Sequence, residues 1–147
     1  MKPINYLKRE ILLLVDEDDL IDNLEIYEEY LKLSDMSFMP SNKPAEFIEE
    51  LWDKCVELDI LDPYISDYRY SGIDTGLLER YSDRYYESKE VAKQITRSDK
   101  WIGWTYWYGG GKHGEPEAVD WMNDCYLLEI EVAMKPVMEF KVVGSKE

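Results

Sequence analysis

The sequence predicts an α+β domain in which acidic N-terminal helices pack on a C-terminal antiparallel sheet of about four strands. Three observations carry this. Apolar residues recur every three or four positions through the first 60 residues, they alternate with polar ones near the C-terminus, and charge follows the same division: residues 1–60 hold 16 acids and 6 bases, residues 91–147 hold 9 and 7. A length of 147 residues is that of one ordinary domain. A single domain over 1–147 is therefore expected, mainly helical over 1–87 and mainly antiparallel β over 88–143. With 45% hydrophobic and 14% aromatic residues, the chain can offset the entropy of ordering despite its 33% charged residues.

Ile4, Leu7, Ile11 and Leu14 fall at helical spacing, as do Leu20, Leu24, Tyr27 and Leu31, which predicts two helices or one bent helix. Pro40, Ser41, Asn42 and Pro44 break the pattern. Pro44 suits the first turn of a helix that carries Phe47, Ile48, Leu51, Trp52 and Cys55 on one side and Glu46, Glu49, Glu50, Asp53 and Glu57 on the other. Residues 62–86 hold six tyrosines with Asp, Ser and Gly, and read as a packed connector with a short helix near 77–81. Residues 91–96 and 101–108 read as a hairpin about a turn at 97–100, with helix over 89–97 as the alternative. Tyr126, Leu128, Ile130 and Val132 alternate with Leu127, Glu129 and Glu131, and Met138, Phe140 and Val142 alternate with Glu139 and Lys141, with Lys135-Pro136 turning the chain between the two strands.

No run of about 18 apolar residues is present, and the apolar stretch at 11–15 is shorter than a signal-peptide core of at least about 7 residues. A soluble, cytoplasmic protein with no membrane partner is expected. Cys55 and Cys125 are isolated thiols and read as small buried hydrophobes. One histidine and two distant cysteines do not supply a soft-metal ligand set, and the cluster Asp16-Glu17-Asp18-Asp19 lacks the glycine and ligand spacing of a calcium loop. No metal, cofactor or catalytic residue is assigned.

A net charge of −15 repels phosphate backbones, so direct nucleic-acid binding is disfavoured and a basic protein surface is the expected partner. From 16 to 29 the chain holds eight acids and no base. Asp18, Asp22, Glu25 and Glu29 fall on one face of a helix, where like charges repel, so nothing local favours the arrangement. With Glu46, Glu49 and Glu50 they form the candidate partner-binding face, a surface that presents carboxylates much as a nucleic acid presents phosphates.

The segment 101–121 holds four of the five tryptophans, five of the eight glycines and the only histidine. Along its strand, Trp101, Gly103, Thr105 and Trp107 face one way and Ile102, Trp104, Tyr106 and Tyr108 the other, so a strand buried on both sides accounts for many of these rings. Gly109-Gly110-Gly111-Lys112-His113-Gly114 is glycine-rich with a lysine, but Tyr106 and His113 stand where a phosphate loop needs Gly and Ser or Thr. It reads as a flexible or close-approach loop between strand and helix. The alternative to partner binding is a ligand-binding domain or enzyme in which Trp104, Tyr106, Trp107 and Tyr108 stack a planar group and Lys112 or His113 meets its charge. A structural subunit of a larger assembly is a third reading.

The run Trp104-Thr105-Tyr106-Trp107-Tyr108-Gly109-Gly110-Gly111-Lys112-His113-Gly114-Glu115-Pro116 resembles a segment of uncharacterised small phage and prophage proteins. The likeness lies within the last third of the chain, and it implies no activity, cofactor or catalytic residue. It implies a phage context, in which small acidic proteins act by binding host machinery. The first reading is accordingly a non-catalytic, phage-type inhibitor that occupies a basic nucleic-acid-binding surface of a host protein.

Overall fold

A computed structural model describes residues 1–34 and 44–131 and, within them, every side chain but those of Ser34 and His113. Four helices, α1 (Pro3–Leu12), α2 (Leu24–Ser34), α3 (Pro44–Glu57) and α4 (Asp62–Tyr70), precede a four-stranded antiparallel sheet in the order β1 (Ile73–Asp74), β2 (Glu87–Gln94), β3 (Lys100–Tyr108) and β4 (Tyr126–Glu129). The α+β class and the helix-then-sheet order follow the sequence pattern. None of the described helices is long and apolar enough to cross a membrane.

Cross-strand partners share a face, and the β2–β3 register, Glu87 opposite Tyr108 through Gln94 opposite Trp101, puts Val91, Trp104 and Ile102 on the side covered by α1 and α4. Leu7 and Ile11 of α1, Leu51 of α3 and Tyr68 of α4 close over them, all at most 1% exposed. The other sheet face is also shielded. There Glu90 and Thr105 are each 1% exposed and Trp107 is 6% exposed, so β3 is buried on both sides as its doubled aromatic pattern required. Gly103 answers a close approach: a Cβ there would stand 2.5 Å from the Tyr126 ring, which lies against the glycine from β4.

Several expectations are corrected. Residues 89–97 are not helical, since β2 starts at Glu87 and pairs along its whole length with β3. The predicted helix at 77–81 does not form; the helix of this region is α4, opened by Pro63 in its first turn. Beyond it, Asp74 Oδ1 accepts from the Gly76 N–H at 2.8 Å and Asp83 Oδ1 from the Tyr85 N–H at 2.8 Å, local turns that compete with helix. Spacing points Leu14, Leu24 and Leu31 inward, but they are 40%, 66% and 42% exposed: the chain leaves the helix after Leu12, and α2, entered through a 3-10 turn at Glu17–Asp19, buries Ile26, Tyr30 and Leu33 instead. The break at Pro40 to Asn42 and the strand with Met138, Phe140 and Val142 lie outside the described residues. The sheet's fourth strand here is β1, which alternation over two residues could not announce.

Cys55 and Cys125 are both buried and free. Burial raises each thiol from 9.0 to about 11, with the charge of Glu29 adding at Cys55 and that of Asp124 at Cys125. A thiol whose folded value is raised contributes stability that is complete below its unfolded value and is lost as pH rises through the folded one. Stability is therefore expected to decline between about pH 9 and 11, as the unfolded state releases protons that the folded state retains. Chemical denaturation at pH 8, 9.5 and 10.5 checks this, alongside a colorimetric thiol reagent that should label neither cysteine at pH 8 until the chain unfolds. Labelling of either thiol in the folded protein at pH 8 would contradict the assignment.

Candidate functional site

The acidic N-terminal surface is built on a fixed turn. Tyr30 donates its hydroxyl to the Val15 carbonyl at 2.9 Å, and Tyr64 of α4 accepts from the Asp16 N–H at 3.0 Å while donating to the Asp19 carboxylate. Burial, followed by the hydrogen bond to Asp19, raises the Tyr64 phenol and keeps its proton in place. Asp16 caps the 3-10 turn by accepting from the Asp18 N–H at 2.9 Å. Two aromatic hydroxyls from separate helices thus hold a loop whose four consecutive acids are all exposed.

The acids that sequence grouped together divide into two sets. Asp18 lies in the 3-10 turn and Asp22 in the bend before α2, both exposed, and neither pairs with a cation among the described residues. Glu25 and Glu29 of α2 converge on Lys54 of α3 at 3.6 and 3.0 Å, which raises the lysine pKa through the Glu29 hydrogen bond above all. Glu49 meets Lys8 of α1 at 3.0 Å. Glu46 and Glu50 stand on the exposed side of α3. The single helical face drawn through Asp18, Asp22, Glu25 and Glu29 is therefore replaced by a turn with unshared charge beside helices whose acids are in part matched by lysines.

Sequence reasoning missed the apolar part of this surface. Ile21 is 57% exposed and Leu24 is 66% exposed, and both lie between Asp18 and Glu25. Spacing alone puts Leu24 on a buried stripe. The available signal was Asn23 beside the acidic run, a residue type that favours helix caps and turns over helix interiors.

The aromatic and glycine residues do not converge. Trp104 is fully buried with its ring centroid 5.3 Å from that of Tyr68 and 5.5 Å from that of Trp121. Trp107 is buried on the opposite sheet face. Tyr106 and Tyr108 are half-buried and stack at 6.0 Å, whereas Lys112 lines a separate open hollow with Tyr86, Gly114 and Glu115. Gly109, Gly110 and Gly111 take φ values of 83°, 86° and 57° in succession, a left-handed run that other residues resist. A Cβ on Gly110 would meet the Tyr86 ring at 2.7 Å, and the Tyr86 hydroxyl accepts from the Glu115 N–H at 3.1 Å. The glycine run is thus a folded corner packed on Tyr86. It leads into two 3-10 turns, Gly111–His113 and Pro116–Ala118, where a helix was expected.

Among the described residues no three His, Cys, Asp or Glu side chains are grouped so as to hold a metal ion. No protein-family model, curated protein or solved structure matches the chain.

Proposed function

We propose that this is a non-catalytic binding protein that docks its acidic N-terminal surface on a basic protein surface, of the kind that otherwise holds a nucleic-acid backbone, as a phage-type inhibitor of a host protein would. The observation that supports this most is the pairing of exposed Ile21 and Leu24 with the carboxylates of Asp16 to Asp22 on a turn held by Tyr30 and Tyr64. An interface needs apolar groups that exclude water as well as charge that steers. A turn fixed before binding loses little entropy on association. Asp18 and Asp22 supply charge that no lysine of the described chain shares, while Glu25, Glu29, Glu46, Glu49 and Glu50 extend the field over α2 and α3.

Capture from host lysate with wild-type protein and with the Asp18→Asn/Asp22→Asn/Glu25→Gln variant tests the proposal. The wild type should retain a basic partner at low salt and release most of it at roughly 0.5 M, where the screening length is a few Å. The variant should associate about tenfold more slowly with that partner. Absence of a basic partner at low salt, or equal retention by the variant, would sink the reading.

A further inference from the structure

A second site of opposite charge lies at the far end of the helix-covered sheet face. Arg69, in the last turn of α4, is 3% exposed. Its guanidinium centre stands 4.5 Å from the Tyr106 ring centroid and 5.1 Å from that of Tyr70, and the Lys89 ammonium approaches the same Tyr106 ring at 5.7 Å. Arg69, Tyr70, Gly72, Lys89, Val91 and Tyr106 bound a cleft of about 130 Å³.

The arginine is incompletely satisfied. One Nη group donates to the Trp107 carbonyl, while the Nε–H is buried with no hydrogen-bond partner. No carboxylate of the described residues pairs with Arg69 or with Lys89, although the chain carries 32 acids. A guanidinium withdrawn from water without an anion is costly, and tyrosine faces offset only part of that cost. Its donors form a planar fork that matches the two oxygens of a carboxylate or phosphate.

From these observations we infer that the cleft is a binding site for a single oxyanionic group, a carboxylate or a phosphate, held by Arg69 and Lys89 against the Tyr106 ring. A cleft of about 130 Å³ is small beside the sites that hold drug-sized ligands, which suits one oxyanionic group at the guanidinium. The site is independent of the acidic N-terminal surface, and it stands whether or not that surface binds a partner. Two cations meet the bound group at close range, and neither is already paired with a carboxylate of the described residues.

Calorimetric titration with inorganic phosphate and with acetate, at ionic strength matched by chloride, tests the inference on the full chain. At least one anion should bind saturably and raise the melting temperature above the chloride control. Stronger binding of phosphate assigns a phosphate group to the cleft, and stronger binding of acetate assigns a carboxylate. Arg69→Lys keeps the charge but loses the fork, and should weaken binding about tenfold. Lys89→Gln alters an exposed side chain that folding does not depend on, and should weaken binding about threefold to fivefold. No saturable response to either anion, or affinity unchanged in Lys89→Gln, overturns the site.

Discussion

Trp104→Ala is expected to lower the unfolding free energy by about 3–5 kcal/mol, a large part of what a domain of this size possesses. The ring is fully buried between Tyr68 of α4 and Trp121, tilted by 38° and 46° to them, and is the largest side chain with no exposure. It is also where helix and sheet lock: the Cβ position of Gly72, between α4 and β1, lies only 2.8 Å from the Trp104 ring. An alanine would leave a void lined by rings that cannot collapse into it, which puts the cost at the upper end for large-to-small changes. The indole N–H, however, is buried without a partner. Trp104→Phe removes that orphan donor while keeping most of the packing, so its cost should be only about 1 kcal/mol. Urea unfolding of both variants, compared at equal slope, measures the difference. A loss below about 1 kcal/mol for the alanine variant would mean that this ring is not the keystone of the core. A loss in Phe equal to that in Ala would contradict the account of the orphan N–H.

The same residue explains why the fold was more legible than the site. Trp104 sits in a strand with apolar and aromatic residues on both faces, and a doubly buried strand is what such a pattern requires; periodicity likewise placed Leu7, Ile11, Ile48, Leu51 and Cys55 inside, where each is at most 1% exposed. Periodicity failed where the chain stops being periodic. Leu14 and Leu24 stand on either side of a stretch that is turns and a 3-10 segment, and a side chain's face depends on the conformation that spacing assumes. The candidate sites depend on tertiary pairing. Nothing in the sequence says that Lys54 takes Glu25 and Glu29, that Lys8 takes Glu49, or that Arg69 and Lys89 meet on Tyr106 without an acid. The glycine run left flexibility and close approach open as readings, and the close approach emerges only with Tyr86 beneath it.

Glu90→Ala is expected to cost about 2–4 kcal/mol, a large effect for removing one acid from a chain of net charge −15. Glu90 is 1% exposed on the outer sheet face, where Thr105 donates to Oε2 at 2.9 Å and Tyr126 donates to Oε1 at 2.6 Å. The Tyr126 ring covers Gly103 and stacks on the Arg80 guanidinium at 4.2 Å, and Arg80 also donates to the Asp124 carbonyl at 3.0 Å. Burial first, and then the hydrogen bond to Glu90, push the Tyr126 phenol well above its ordinary range, so the proton stays on the tyrosine and points at the carboxylate. This carboxylate is therefore committed to joining β2, β3 and β4. Loss of charge repulsion works in the opposite direction but is small over a dispersed surface, whereas the buried Thr105 and half-buried Tyr126 hydroxyls would lose charge-assisted bonds worth about 1.5–3 kcal/mol each before relaxation. Tyr126→Phe keeps the ring over Gly103 and removes only one of these charge-assisted bonds, so it should cost about 1.5–3 kcal/mol. In the double variant the Tyr126 bond is already absent, and the two losses should fall short of additivity by about 1–2 kcal/mol. Strict additivity would show that Glu90 and Tyr126 act separately, and that the carboxylate is held on this face by Thr105 and the sheet alone.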